Sequence, residues 1–144
     1  MSETLAKAGY IPAGMELFPA TDQKQLEFIK RVIDRCDYYV VILGGRYGSL
    51  ADDNISFTEK EYEYAIERKI PVLAFLHANP EKIEAGKTER EPDQANRLVA
   101  FRGKLSKGRI VDFWDDRRDL CTKVVIAVTQ AINLWRGFEP KTTN

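Results

Sequence analysis

Histidine is almost missing from this chain and cysteine is sparse: His77 stands alone, with Cys36 and Cys121 the two thiols in 144 residues. One histidine and no nucleophile elbow leave no Ser/His/Asp triad to assemble. One histidine and two separated cysteines do not make the usual zinc set, so no metal is expected. Both cysteines fall at apolar positions of helical patterns, as reduced, buried thiols of a cytosolic chain would. Net charge is also missing, with 22 basic against 22 acidic residues. A surface dedicated to DNA or RNA needs a basic excess; here Lys104, Lys107 and Arg109 are interleaved with Asp112, Asp115 and Asp116. No apolar run approaches the roughly 20 residues that span a bilayer. The start, Met1-Ser2-Glu3-Thr4, is no basic-then-apolar leader. The expectation is a cytoplasmic chain with no membrane and no nucleic-acid partner.

What is present is ordinary for a globular domain: 44% apolar and 31% charged residues. The length suits one core. The expected domain runs over residues 1–136, with 137–144 as a fraying tail. Leu5 and Ala8 before Gly9 read as the last turns of a helix. Met15 to Phe18 reads as a short strand before Pro19, with Glu16 set awkwardly among apolar neighbours. Asp22-Gln23-Lys24-Gln25 reads as a capping box opening a helix to about Cys36, with Leu26, Ile29, Val32, Ile33 and Cys36 as its stripe.

Tyr38 to Leu43 is uninterrupted by charge, which is the pattern of a strand buried on both faces. Ile70 to Leu76 repeats it, with Pro71 near its first residue, where proline is tolerated. Ile110 to Trp114 gives a third strand. Helices are expected over Thr58–Lys69, Gln94–Ser106 and from Asp115 or Asp116 to about Trp135. The last has a buried stripe of Leu120, Val124, Ala127, Val128, Ala131 and Ile132. Asn79 to Asp93 reads as a surface loop with one helical turn. Alternating strands and helices predict an α/β fold in three layers, a mainly parallel sheet covered on both faces. No strand precedes the Leu5–Ala8 helix end. The first strand of a doubly wound sheet is therefore absent from the expected order, leaving a gap between the Met15 segment and the Tyr38 strand. An upstream stretch of chain or a partner would fill it.

Ligands of such sheets bind beyond the C-terminal strand ends. Two constellations fall there. Gly44-Gly45-Arg46-Tyr47-Gly48-Ser49 follows a buried strand directly. Its glycines permit a tight turn and leave N–H groups free to face phosphate. Arg46 could clamp a phosphate or carboxylate. No Gly-Lys-Ser/Thr follows, so it is not a Walker A loop, and it is not a full dinucleotide fingerprint. A plain glycine turn fits equally well. The second constellation runs from Ser56 through Thr58 to Glu61. Thr58 with Glu61, or Ser56 with Glu59, makes a capping box, which alone explains these residues. Functionally, Glu61 beside the glycine loop could hold ribose hydroxyls or stabilise an oxocarbenium ion, as carboxylates of glycosidases do. The helix N-terminus should keep it ionised. His77, at a strand end, is a further ligand candidate, its plain reading being a strand-end histidine. Phe57, Tyr62 and Tyr64 could stack on a base or simply pack the core.

The run Ala8 to Ala20 resembles the start of a bacterial domain-of-unknown-function family found N-terminal to NTPase or repeat modules. Cys36 to Ser49, Ser56 to Tyr62 with Ala65, and Pro71 to His77 resemble the same family. The likeness extends to about Trp135. That family is similar to the TIR and nucleoside 2-deoxyribosyltransferase-like group. The resemblance implies a flavodoxin-like sheet and, for several members, cleavage of N-glycosidic bonds of NAD or nucleosides. It implies a glutamate with a small residue four positions later, which Glu61 and Ala65 match, and casts Ser56 and Arg46 as helpers. The group's first strand and its Ser/Thr-rich loop have no counterpart here. Three functions remain open: an interaction module that self-associates, a sensor that binds a nucleotide or NAD without turnover, and an enzyme cleaving NAD or a nucleoside. No bound cofactor beyond that ligand is expected.

Overall fold

The computed structural model describes residues 22–108 and 110–138. The expected helix end at Leu5–Ala8, the Met15–Phe18 strand with Glu16, Arg109 and the last six residues lie outside them. The order of elements is α1 (Asp22–Asp34), β1 (Tyr39–Leu43), α2 (Phe57–Glu67), β2 (Val72–His77), α3 (Pro92–Ser106), β3 (Ile110–Trp114) and α4 (Arg117–Phe138). Two 3-10 turns, Pro80–Lys82 and Ala85–Lys87, lie between β2 and α3.

All strand pairing among β1, β2 and β3 is parallel, in the order β1-β2-β3. β2 is the central strand and is buried over Leu73–His77. Its continuous apolar run follows from that position, since both faces of a central parallel strand meet helices. Ala74 and Leu76 join Val41, Leu43, Phe101 and Leu105 in one core under α3. Leu73 and Phe75 point the other way, against Leu120, Val124, Val128 and Ala131 of α4. The three layers are thus α2 and α3, then the sheet, then α4. Ile29 and Ile33 dock α1 on Phe57 and Ala65 of α2. Each fully buried aliphatic or aromatic side chain contributes about 1.5–3 kcal/mol by leaving water. Among the described residues, no helix is long and apolar enough to cross a membrane.

Several boundaries move for local reasons. α3 starts at Pro92 because proline suits a first helical turn, having no N–H to satisfy. α4 is capped by Asp116, whose Oδ1 accepts the Asp119 N–H at 2.8 Å; Asp115 instead donates its own N–H to Asp119. α4 continues through Phe138, past the expected end at Trp135. α2 ends in a Schellman motif, with Lys69 at φ 60 where glycine is usual. Ile70 N–H donates to the Ala65 carbonyl and Lys69 N–H to that of Ile66. Cys36 and Cys121 are free, half-buried thiols.

Candidate functional site

The two constellations meet. The Phe57 N–H donates to the Ser49 carbonyl at 2.9 Å, and Leu50 forms an antiparallel bridge with Ser56. Gly48 has φ 105, a conformation that side chains rarely adopt, and an added Cβ would stand 3.3 Å from Thr58 Oγ1. Gly48→Ala should therefore cost about 1–2 kcal/mol. Thermal unfolding checks this, and an unchanged midpoint would mean the turn has another conformation.

Ser56, not Thr58, caps α2: its Oγ accepts the Glu59 N–H at 3.1 Å, and the side chain is wholly buried. The Ser56/Glu59 register is thereby selected over the competing one. Glu59 does not reach back to the cap. It accepts from the Tyr47 hydroxyl and from Lys104 Nζ of α3 at 2.9 Å. Lys104 also bridges to Glu63, and these two carboxylates push its ammonium pKa up. Tyr47 is only 1% exposed. Burial and then the Glu59 bond raise its hydroxyl, while Ser56 pulls it partly back. Tyr47 is thus an anchor that roots the glycine loop in the core, its ring edge-on to Phe101.

Glu61 points elsewhere on α2. Its Oε2 accepts from the Tyr39 hydroxyl at 2.9 Å; the same hydroxyl lies 3.3 Å from the Thr58 carbonyl. Burial pushes the Glu61 carboxyl up, the Tyr39 bond only partly offsetting it. Where a helix N-terminus would lower this pKa, burial raises it: desolvation outweighs the terminal field. Glu61 is the fifth residue of α2, beyond the free N–H groups that carry the terminal field. Burial, then the Glu61 charge and hydrogen bond, raise the Tyr39 hydroxyl well above its ordinary value.

Arg46 is exposed and donates from Nη2 to the Gly86 carbonyl at 2.6 Å. The neighbouring main chain is covered as well. Glu89 N–H donates to the Gly45 carbonyl at 2.9 Å, and Glu89 Oε2 accepts the Tyr47 N–H at 2.8 Å. A Cβ at Gly45 would stand 2.4 Å from the Lys87 carbonyl oxygen. Close approach does explain this glycine, but the approaching group belongs to the chain itself. Ser49 is exposed and Thr58 half-buried beside the loop.

His77 is buried at the end of β2. Its Nδ1 accepts the Asn79 N–H at 3.0 Å, so the neutral ring carries its proton on Nε2. The ring sits edge-on to Trp114 at 4.7 Å. The indole donates to the Phe75 carbonyl at 3.2 Å and reaches within 3.7 Å of a Cβ position at Gly44. Gly44, His77 and Trp114, from three strand ends, therefore close the sheet's C-terminal end on the α4 side. Of the aromatic candidates, Phe57 is core, Tyr62 packs edge-on to Phe101, and Tyr64 donates to Asp34.

Arg46 and Glu61 are thus held by different partners, Gly86 and Tyr39. The residues that sequence reasoning missed are Tyr39, Glu59 and Glu89. The Ser-x-x-Glu spacing signalled Glu59 only as a capping residue. An open groove of about 690 Å³ lies away from all of these, along the outer face of α4 between Arg117 and Ile126. Among the described residues, no cluster of three His, Cys, Asp or Glu is placed to hold a metal ion.

Among the described residues, a three-stranded parallel sheet with helices on both faces, and a glycine loop leaving β1 against a helix start, defines an α/β domain of the flavodoxin-like class. Within that class the chain belongs to the family described as Domain of unknown function (DUF4062), whose model matches residues 1–129. No curated protein and no solved structure matches the chain significantly.

Proposed function

We propose that this domain is a TIR-like, cytoplasmic interaction module that takes a nucleotide at the Gly44–Ser49 loop. One observation carries the reading: the loop leaves the C-terminal end of a buried parallel strand and lies against the first turn of α2. Open α/β sheets take ligands at such strand ends. The Tyr47 N–H and the Arg46 guanidinium supply the donors a phosphate needs. Ser49 and Thr58 contribute polar groups beside the loop, and His77 lies at the same end of the sheet on its α4 side. As a module the domain self-associates, and β1, an edge strand among the described residues, offers the pairing surface.

The Glu61–Tyr39 pair favours a second reading, cleavage of the N-glycosidic bond of NAD or a nucleoside. A half-buried carboxylate with a raised pKa, held by a tyrosine, is the kind of group that stabilises a developing sugar cation or handles its proton. Calorimetry with NAD, ADP-ribose, ATP and GTP, alongside an NAD-consumption assay, tests both. Heat of binding without turnover supports the module. Turnover that disappears in Glu61→Gln supports the enzyme. The absence of binding by every ligand at millimolar concentration would remove both readings.

A further inference from the structure

The segment over residues 84–90 does to the glycine loop what an anionic ligand would do. Glu89 sets a carboxylate oxygen 2.8 Å from the Tyr47 main-chain N–H, and its own N–H holds the Gly45 carbonyl. Gly86 supplies the carbonyl that receives Arg46 at 2.6 Å. A carboxylate on a loop N–H presents the same chemistry as a phosphate oxygen there. Arg46, by contrast, is paired with a neutral carbonyl, a weaker partner than any anion.

The segment is fastened by these polar contacts and little else. It contains one 3-10 turn, Ala85–Lys87; residues 84–87 and Arg90 are exposed, and none of its residues belongs to a buried core cluster. Few buried apolar contacts and exposed backbone mark a segment that opens at low cost.

We propose that residues 84–90 form a self-inhibitory strap, with Glu89 occupying the place of a ligand phosphate. The strap must lift before a diphosphate reaches the Tyr47 N–H and Arg46. This rests on the nucleotide-loop reading and adds its regulation. The apparent affinity of wild-type protein is then the intrinsic affinity reduced by the fraction of molecules with the strap lifted. A diphosphate displaces both contacts at once, exchanging a single carboxylate–N–H bond and a neutral carbonyl for charged oxygens.

Inorganic pyrophosphate, titrated calorimetrically into wild type, Glu89→Ala and Glu89→Gln, tests the strap. Glu89→Ala should bind about tenfold or more tightly than wild type, and the uncharged Glu89→Gln should fall between. Should Glu89→Ala fail to fold, Glu89→Gln against wild type still decides. Equal or weaker binding by both variants, with wild type binding, overturns the strap and leaves the loop reading intact. No binding by any of the three overturns the loop reading and the strap with it.

Discussion

Phe101→Ala should destabilise the domain by about 3–5 kcal/mol, a large share of the 5–15 kcal/mol typical of a folded domain. Phe101 is 1% exposed and lies under the α3 face of the sheet. Its ring meets Tyr47 edge-on at 6.2 Å and Tyr62 at 5.7 Å. Val41, Leu43, Ala74 and Leu76 of two strands, with Leu105 of α3, belong to the same cluster. These walls belong to three elements and a rooted loop, so they cannot collapse into the space a phenyl group leaves. The loss combines transfer energy with a retained cavity. Urea unfolding measures it, and a loss below about 1 kcal/mol would contradict this packing. The smaller truncation Phe101→Leu should cost less. Because Tyr47 roots the glycine loop, Phe101→Ala should also weaken the nucleotide binding proposed for that loop.

The strands were legible because burial on both faces leaves a signature that needs no partner to be recognised. Val72 to Leu76 is apolar at every position for that reason, and β1 reads likewise. Helix starts were harder. Ser56 and Thr58 each precede a glutamate by three residues, so spacing alone left two registers. The choice is made by tertiary contacts: the bridge to Leu50 and the Phe57–Ser49 hydrogen bond fix Ser56 outside the helix. Pro92 likewise extends α3 beyond its apolar stripe, into a turn that no periodicity marks.

The candidate site was legible in its backbone and illegible in its partners. Gly44 to Ser49 declared a tight turn, and the turn lies where strand order said it would. That the visitor at Gly45 is the chain's own Lys87 carbonyl could not be read, because the contact spans more than forty positions and the strap has no periodic pattern. Glu61 drew attention through its place near a helix start. Its actual environment is set by Tyr39, which reads in sequence as one more aromatic residue of a strand. A helix-terminus argument predicts an ionised carboxylate; only the depth of the side chain reveals that desolvation opposes it.

Tyr39→Phe isolates that opposition, and its effect should depend on pH. The substitution keeps the ring and removes the hydroxyl, leaving Glu61 without its 2.9 Å donor. Losing a hydrogen bond to a partly buried carboxylate costs about 1.5–3 kcal/mol when that carboxylate is ionised. The Tyr39 bond is also what pulls the Glu61 pKa back down, so its removal raises the folded-state pKa further. A carboxyl raised in the folded state binds more protons there than in the unfolded chain. Its favourable contribution is therefore complete below the ordinary value of 4.5 and is lost as pH rises through the folded pKa. A larger gap deepens that loss, so Tyr39→Phe should be most damaging near neutrality and mildest at low pH. Denaturant melts near about pH 4 and about pH 7.5 compare the two regimes. Adding Glu61→Gln to Tyr39→Phe should restore much of the neutral-pH deficit, since an amide carries no charge to desolvate. Equal deficits at both pH values, or no recovery in the double variant, would mean that Tyr39 and Glu61 are not coupled through charge.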